Sequence, residues 1–204
     1  MADEIEITFL RHGRSRADDE GAHEGRYDSP LTEVGRAQAE KRGQDFLTRG
    51  LNYKLIIASP LQRAQETAKI LAKYLNLTVE TDSDWMEMDN GLLAGLPIKE
   101  AAIRFPRPTF RNPYERIGET GESEWELFRR AGRAVEKIVS RGPGQYLVVT
   151  HGGILNAALR TIFGVAPSGN NLGIVFRFRD LGYARLSYTP KEHRWIVEEF
   201  QASL

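Results

Sequence analysis

The 204-residue chain contains no cysteine, which removes disulfides, thiol nucleophiles and thiolate metal sites together. It has no net charge, since Lys plus Arg and Asp plus Glu both total 28. No long-range field therefore draws it to nucleic acid or to an anionic membrane, and any anion site must be local. No apolar run approaches the ~20 residues of a membrane span, and the amino terminus Met1-Ala2-Asp3-Glu4 lacks the basic region and apolar stretch of a signal peptide. The expectation is a soluble cytoplasmic protein. Histidine is scarce, with four residues and no close ligand spacing, so neither a metal nor another cofactor is expected. Covalent catalysis, if it occurs here, falls to histidine.

What is present is a core-forming composition: 41% of residues are hydrophobic and 27% charged, enough for one domain over residues 1–204. Apolar runs mark strands near 5–10, 55–58 and 146–150, each followed by a loop and a helical pattern, the βαβ signature of an α/β fold with a parallel sheet. The first helix is predicted after Thr32, with Val34, Ala37, Ala39, Phe46 and Leu47 available to the core. A second opens with Ser59 as N-cap and Pro60 at its first position, burying Ala64, Thr67, Ala68, Leu71 and Leu75 and setting Arg63 in the first turn. A third runs from near Glu122 to about Arg141, stopped by Gly142-Pro143-Gly144, and a fourth from Gly152-Gly153 through Ile162. Runs 173–178, 183–188 and 194–200 read as strands, antiparallel at a sheet edge. Residues 97–121 are the least regular, with Pro97, Pro106, Pro108 and Pro113 among Arg104, Arg107, Arg111 and Arg116. This segment reads as a cap whose arginines are candidates to meet a remote anionic group.

Three of the strands end in polar residues suited to one anion. Arg11-His12-Gly13 follows the first, Ser59-Pro60-Leu61-Gln62-Arg63 the second, and Thr150-His151-Gly152-Gly153 the run Tyr146-Leu147-Val148-Val149. Ligands of open α/β sheets collect at such carboxyl ends. Phosphate-ester cleavage through histidine needs a neutral imidazole nitrogen aimed at phosphorus, a cationic cradle for the oxygens and an acid for the leaving group. His12 is the candidate nucleophile, with Arg11, Arg63 and His151 as the cradle. Amides at the helix starts after Ser59 and Gly152 add partial positive charge.

Taken in order with Glu87-x-x-x-Gly91-x-x-x-Gly95, these motifs resemble the histidine phosphatase superfamily, also called the phosphoglycerate mutase-like family. The resemblance runs from Ile7 to about Gly164 and includes the stretch from Glu24 to Ala39 and the Gly121-Glu122-Ser123 triplet. It implies a phosphoglycerate mutase-like three-layer α/β/α fold with a mostly parallel central sheet, a phosphohistidine at His12, and Glu87 as general acid. It also implies Ser15, Asp18, Glu24, Gly25 and Gly152 as further substrate-binding residues. A glutamate of ordinary pKa, about 4.3, is mostly ionised at neutral pH, so the acid role calls for an upward shift and an activity optimum on the acid side of neutrality. Asp89 is a second candidate, more simply a surface carboxylate.

Three positions depart from the family pattern. Arg14 stands where most members carry Glu, Asp18 where many carry Asn, and Met88 where the mutases carry an arginine that helps to hold phosphoglycerate. Asp18 would repel a phosphate dianion unless Arg14 or Arg16 neutralises it. The leading expectation is a phosphomonoesterase acting on a small phosphorylated metabolite. A cofactor-dependent phosphoglycerate mutase is the alternative enzyme, against which stands the short stretch from Gly95 to Thr150. A noncatalytic member that binds phosphorylated ligands is the other class. Substrate identity and oligomeric state stay open. Of the remaining residues, His23 is a candidate for the site mouth, His193 for an exposed turn, and Trp85, Trp125 and Trp195 for core or lid packing.

Overall fold

Each central strand carries apolar residues on both of its faces, which requires a layer of helices on either side. In the computed structural model, which describes residues 4–204, six strands form one sheet in the order β3-β2-β4-β1-β5-β6. These are β1 (Ile5–Arg11), β2 (Leu55–Ala58), β3 (Val79–Thr81), β4 (Gly144–Thr150), β5 (Tyr183–Thr189) and β6 (Arg194–Gln201). The first four in that order are mutually parallel, and β5 and β6 add antiparallel at one edge. The amino-terminal reading at Met1-Ala2-Asp3 lies outside the described residues.

Alternation divides the core cleanly. Ile5, Ile7, Phe9, Ile57, Val148 and Leu186 face one cluster, shared with α5 (Glu124–Val139) and α6 (Gly152–Ile162). Leu10, Ile56, Leu147, Val149 and Tyr183 face the other, shared with α2 (Glu33–Thr48) and α3 (Gln62–Leu75). Burial of each large aliphatic side chain contributes about 2 kcal/mol, and a one-residue slip would turn these sets outward.

The first helix starts at the expected N-cap, Thr32, whose hydroxyl accepts from Gly35 N. Its buried stripe is Gly35, Ala39, Arg42, Gly43 and Phe46, so Val34, Ala37 and Leu47 fall outside it and are exposed, contrary to expectation. Arg42 takes an apolar slot, its guanidinium 4.9 Å from the Tyr183 ring centroid and bonded to Leu181 O. Ser59 is not an N-cap: α3 begins at Gln62 with Leu61 as cap. The predicted strand over 173–178 is irregular. Its backbone groups are taken by side chains of α6 instead of a neighbouring strand: Asn156 pairs with both N and O of Phe176, and Arg160 donates twice to Ile174 O. Two short helices went unforeseen, α1 (Arg16–Glu20) and α4 (Ile98–Arg104), the latter inside the candidate cap. Among the described residues no helix is long and apolar enough to cross a membrane.

Candidate active site

The parallel strands β2, β4 and β1 lie side by side, with Ala58 in register with Val149 and Arg11 with Thr150. Their carboxyl ends therefore deliver Ser59, His151 and His12 to one edge of the sheet. His12 N continues the ladder by donating to Thr150 O at 2.9 Å. The imidazole is fully buried, and its Nδ1 lies 2.7 Å from Gly13 O. A carbonyl only accepts, so Nδ1 carries the proton and Nε2 keeps its lone pair. Burial, reinforced by Arg63 and Arg11, holds this imidazole well below the usual histidine range, so it is neutral at neutral pH.

Arg63, in the first turn of α3, is fully buried. Its Nε donates to His12 Nε2 at 3.2 Å, and its two terminal nitrogens donate to Tyr27 O at 2.9 Å and Gly25 O at 2.8 Å. Gly25 has φ of +48°, and a Cβ there would fall 1.9 Å from Asn90 Oδ1, so only glycine offers Arg63 that carbonyl. Arg11 donates to Phe178 O and stands 3.6 Å from both Asp18 and Asp180.

The His151 ring centroid is 5.0 Å from that of His12. Its Nε2 is 2.8 Å from Ser59 Oγ, the contact that Ser59 makes in place of a helix cap. Its Nδ1 is buried without a protein partner. Burial, then Arg63 and His12, keep this ring well below the ordinary histidine value as well.

Glu87 sits at the start of α6, where its carboxylate accepts from Gly153 N at 2.9 Å, Ile154 N at 3.0 Å and its neighbour Met88 N at 2.8 Å. A helix N-terminus stabilises an anion there. Gly153 permits the approach, since a Cβ on it would lie 2.5 Å from Glu87 Oε1. The Glu87 segment is strapped by a residue that the sequence reading missed. Arg130 of α5, nearly buried, donates to the carbonyls of Asp84, Met86 and Glu87 and pairs with Glu122 at 2.5 Å. One signal was available: Arg130 interrupts the apolar stripe Leu127, Ala131, Ala134, Val135 and Ile138. Thr67 was expected in the core and is there, but its hydroxyl also accepts from Gly13 N at 3.2 Å and donates to Arg63 O at 2.7 Å.

Ser15, Asp18 and Glu24 lie at the same edge. Ser15 caps α1 in a capping box with Asp18, and its hydroxyl is 2.5 Å from Glu24 Oε1. Glu24 reaches within 3.8 Å of His12 Nε2 and 3.4 Å of Arg63 Nε. Burial pushes its carboxyl above the ordinary glutamate value, against the pull of Arg63. The neutralisation expected for Asp18 has a different source: Arg14 pairs with Asp19 and Arg16 with Glu20, leaving Arg11 to face Asp18.

Asp89 pairs with Arg26 and accepts from Gly91 N. In the candidate cap, Arg104, Arg111 and Arg116 face Glu100, Glu124 and Glu126. A cavity of about 330 Å³ there is lined by His23, Phe105, Arg107 and Arg111. A second cavity of about 220 Å³ is lined by Met88, Leu127, Phe128, Gly152, Gly153 and Ala157. Trp85 is fully buried, Trp125 stacks on Tyr114, and Trp195 stacks on Tyr188. His193 is exposed, bonded to Tyr188 OH. Among the described residues no group of three or more His, Asp and Glu could hold a metal ion.

Comparison with known proteins gives a consistent picture. Residues 7–198 match the histidine phosphatase superfamily (branch 1). A probable phosphoglycerate mutase GpmB of Yersinia enterocolitica is 33% identical over 95% of this chain and 88% of its own length. Among solved structures, a mycobacterial glucosyl-3-phosphoglycerate phosphatase in complex with VO3 superposes with a TM-score of 0.81 at 23% identity, covering 97% of this chain and 99% of that one. A phosphoserine phosphatase from Entamoeba histolytica in complex with 3-phosphoglyceric acid gives a TM-score of 0.76 at 18% identity over 98% of both chains.

Proposed function

The chain belongs to the histidine phosphatase superfamily, and from that premise we propose that it is a phosphomonoesterase that cleaves a small phosphorylated metabolite through a phosphohistidine. The observation that carries this reading is the His12 ring, whose Nδ1–H is pinned on Gly13 O while the Nε2 lone pair faces the Arg63 guanidinium. A neutral, oriented imidazole beside a fixed cation is what attack on a phosphoryl group requires.

In the first step His12 Nε2 forms a bond to phosphorus as the phosphorus–alkoxide bond breaks. Arg63, Arg11 and the unpartnered Nδ1 of His151 take the phosphoryl oxygens. Glu87 passes a proton to the leaving oxygen. In the second step water attacks the phosphohistidine, Glu87 takes the water's proton, and the P–N bond breaks to release phosphate and regenerate His12. Each preorganised donor is worth roughly 3–4 kcal/mol in such a site. The cavity beside Gly152 and Gly153 offers room for the organic part of the ester. Residues 97–121 act as a cap within one domain, and Ser15, Asp18, Glu24, Gly25 and Gly152 line the site. The chain works in the cytoplasm without a metal or organic cofactor.

Similarity to a protein named as a phosphoglycerate mutase favours a second reading, in which the phosphoryl group returns to the sugar acid. Against it, Met88 supplies no cation to the cavity that it lines, and Arg160 there is committed to Ile174 O and Asn171. One experiment separates the readings: incubation with a generic aryl phosphate, and with 3-phosphoglycerate plus a bisphosphate primer. Phosphate release that vanishes in His12→Ala supports the phosphatase. Isomerisation in place of release supports the mutase, and binding without turnover a noncatalytic member.

A further inference from the structure

The cradle carries more negative charge than a phosphate site can use. Arg11 and Arg63 are its two cations, because His12 and His151 are held neutral by burial. Facing them are three carboxylates: Asp18 and Asp180, each 3.6 Å from Arg11, and Glu24, 3.4 Å from Arg63. Glu24 is the one at the reacting atom, with Oε2 3.8 Å from His12 Nε2. A phosphoryl group bonded to that nitrogen brings its oxygens into contact with Glu24. Two anions in contact in a water-poor site repel strongly, whereas a neutral carboxyl donates a hydrogen bond to the same oxygen.

The hydrogen bonds around Ser15 point the same way. Its hydroxyl has one proton, yet it lies 2.5 Å from Glu24 Oε1 and 3.1 Å from Asp18 Oδ2 while accepting from Asp18 N. Two ionised carboxylates cannot both accept that one proton. If Glu24 is protonated, it donates to Ser15 Oγ or to a phosphoryl oxygen, and Ser15 donates to Asp18.

We propose, resting on the phosphatase reading above, that Glu24 takes up one proton when the site binds a tetrahedral dianion and holds that anion as a neutral hydrogen-bond donor. The groups facing it are Ser15 and Asp18 of α1, His12 and Arg11 at the end of β1, and Arg63 of α3. Desolvation already lowers the cost of the neutral carboxyl, and the arriving dianion completes the shift. Glu24 thereby makes the phosphate cradle tighter in mild acid.

Sulfate is a suitable probe because it mimics the phosphate dianion and does not itself titrate in this range. Calorimetry of sulfate binding in buffers of different ionisation enthalpy counts the protons taken up. The expected result is uptake approaching one proton per sulfate at pH values between the titration of Glu24 in the free site and in the sulfate complex, with affinity falling there by up to about tenfold per pH unit as pH rises. In Glu24→Gln, which supplies a donor with no proton to gain, the uptake disappears and the pH dependence flattens. Asp18→Asn keeps the uptake. In the wild-type protein, infrared difference spectra gain a neutral-carboxyl C=O band on sulfate addition, which tests the idea even if a variant folds poorly. Sulfate binding without proton uptake, or with uptake unchanged in Glu24→Gln, overturns the assignment. Failure of sulfate to bind at all removes the cradle reading itself, and Glu24's role with it.

Discussion

Arg63 Nε donates to the lone pair of His12 Nε2 across 3.2 Å, so in the proposed reaction the guanidinium holds the position that phosphorus must take. Substrate therefore displaces a hydrogen bond at the nucleophile, and Arg63 transfers its donor from nitrogen to a phosphoryl oxygen without leaving the carbonyls of Tyr27 and Gly25 that fix it. Arg63→Ala is expected to slow phosphohistidine formation by about 10²–10³. Arg63→Lys restores little, because a point ammonium lacks the three-way fork. Rapid-quench measurement of labelled His12 checks this, and an unimpaired first-turnover rate would contradict it.

Glu87 has two separable contributions. Glu87→Gln keeps an acceptor for part of the α6 amide set but has no proton to exchange, so turnover should drop by about 10²–10⁴ with little loss of stability. Glu87→Ala should lose turnover to a similar extent and also about 1 kcal/mol of stability, since Gly153 N and Ile154 N are left without their carboxylate. Denaturant midpoints measured beside kcat distinguish the two variants.

Arg130 touches no substrate in the proposed mechanism, yet it ties the carbonyls of Asp84, Met86 and Glu87 to α5. Arg130→Met should destabilise the fold by about 3–5 kcal/mol, because Glu122 is left buried beside an apolar side chain. In the double variant Arg130→Met, Glu122→Gln much of that loss should return while kcat stays low. Recovery of kcat together with stability would show that Arg130 only holds the fold and does not position Glu87.

The two site imidazoles should make the native state sensitive to acid. Both are held well below the ordinary histidine value of about 6.5, so below that pH the unfolded chain binds protons that the folded one refuses. Stability is then complete above about 6.5 and is lost as pH falls, by up to about 1.4 kcal/mol per pH unit for each histidine. Glu24, raised by burial, acts in the opposite sense: its contribution is present at low pH and fades as pH rises from the ordinary glutamate range through its folded value. Urea unfolding across the acid range should show a slope that His151→Asn reduces by about one proton. An identical slope in that variant would exclude the buried-neutral state of His151.

The fold class and the groups at the strand ends were legible because they depend on local pattern. Apolar runs announce buried parallel strands, and the polar residues just after them meet wherever those strands are neighbours. Ser59 shows the boundary of this reasoning. Its place before proline fits an N-cap, but His151, 92 positions away, takes its hydroxyl instead. Arg42 and Arg130 occupy apolar stripes for reasons visible only in the tertiary structure: one lies against the Tyr183 ring and the other against main-chain carbonyls. The run 173–178 has a strand's composition, yet Asn156 and Arg160 satisfy its backbone. The pairing of Asp18 with Arg11, and not with nearer arginines in the sequence, likewise depends on how α1 lies against the end of β1.

The insertion of β4 between β1 and β2 also bears on biosynthesis. Those two early strands emerge from the ribosome long before residue 144, and they share no ladder with each other; β4, the latecomer, is what joins them. A nascent chain halted before residue 144 thus carries His12 with no partner ring and a sheet with its middle missing. Such high contact order makes assembly slow relative to local helix formation. It also ties the meeting of the two buried imidazoles to nearly complete synthesis, because His12 and His151 come together only once β4 has entered the sheet beside β1.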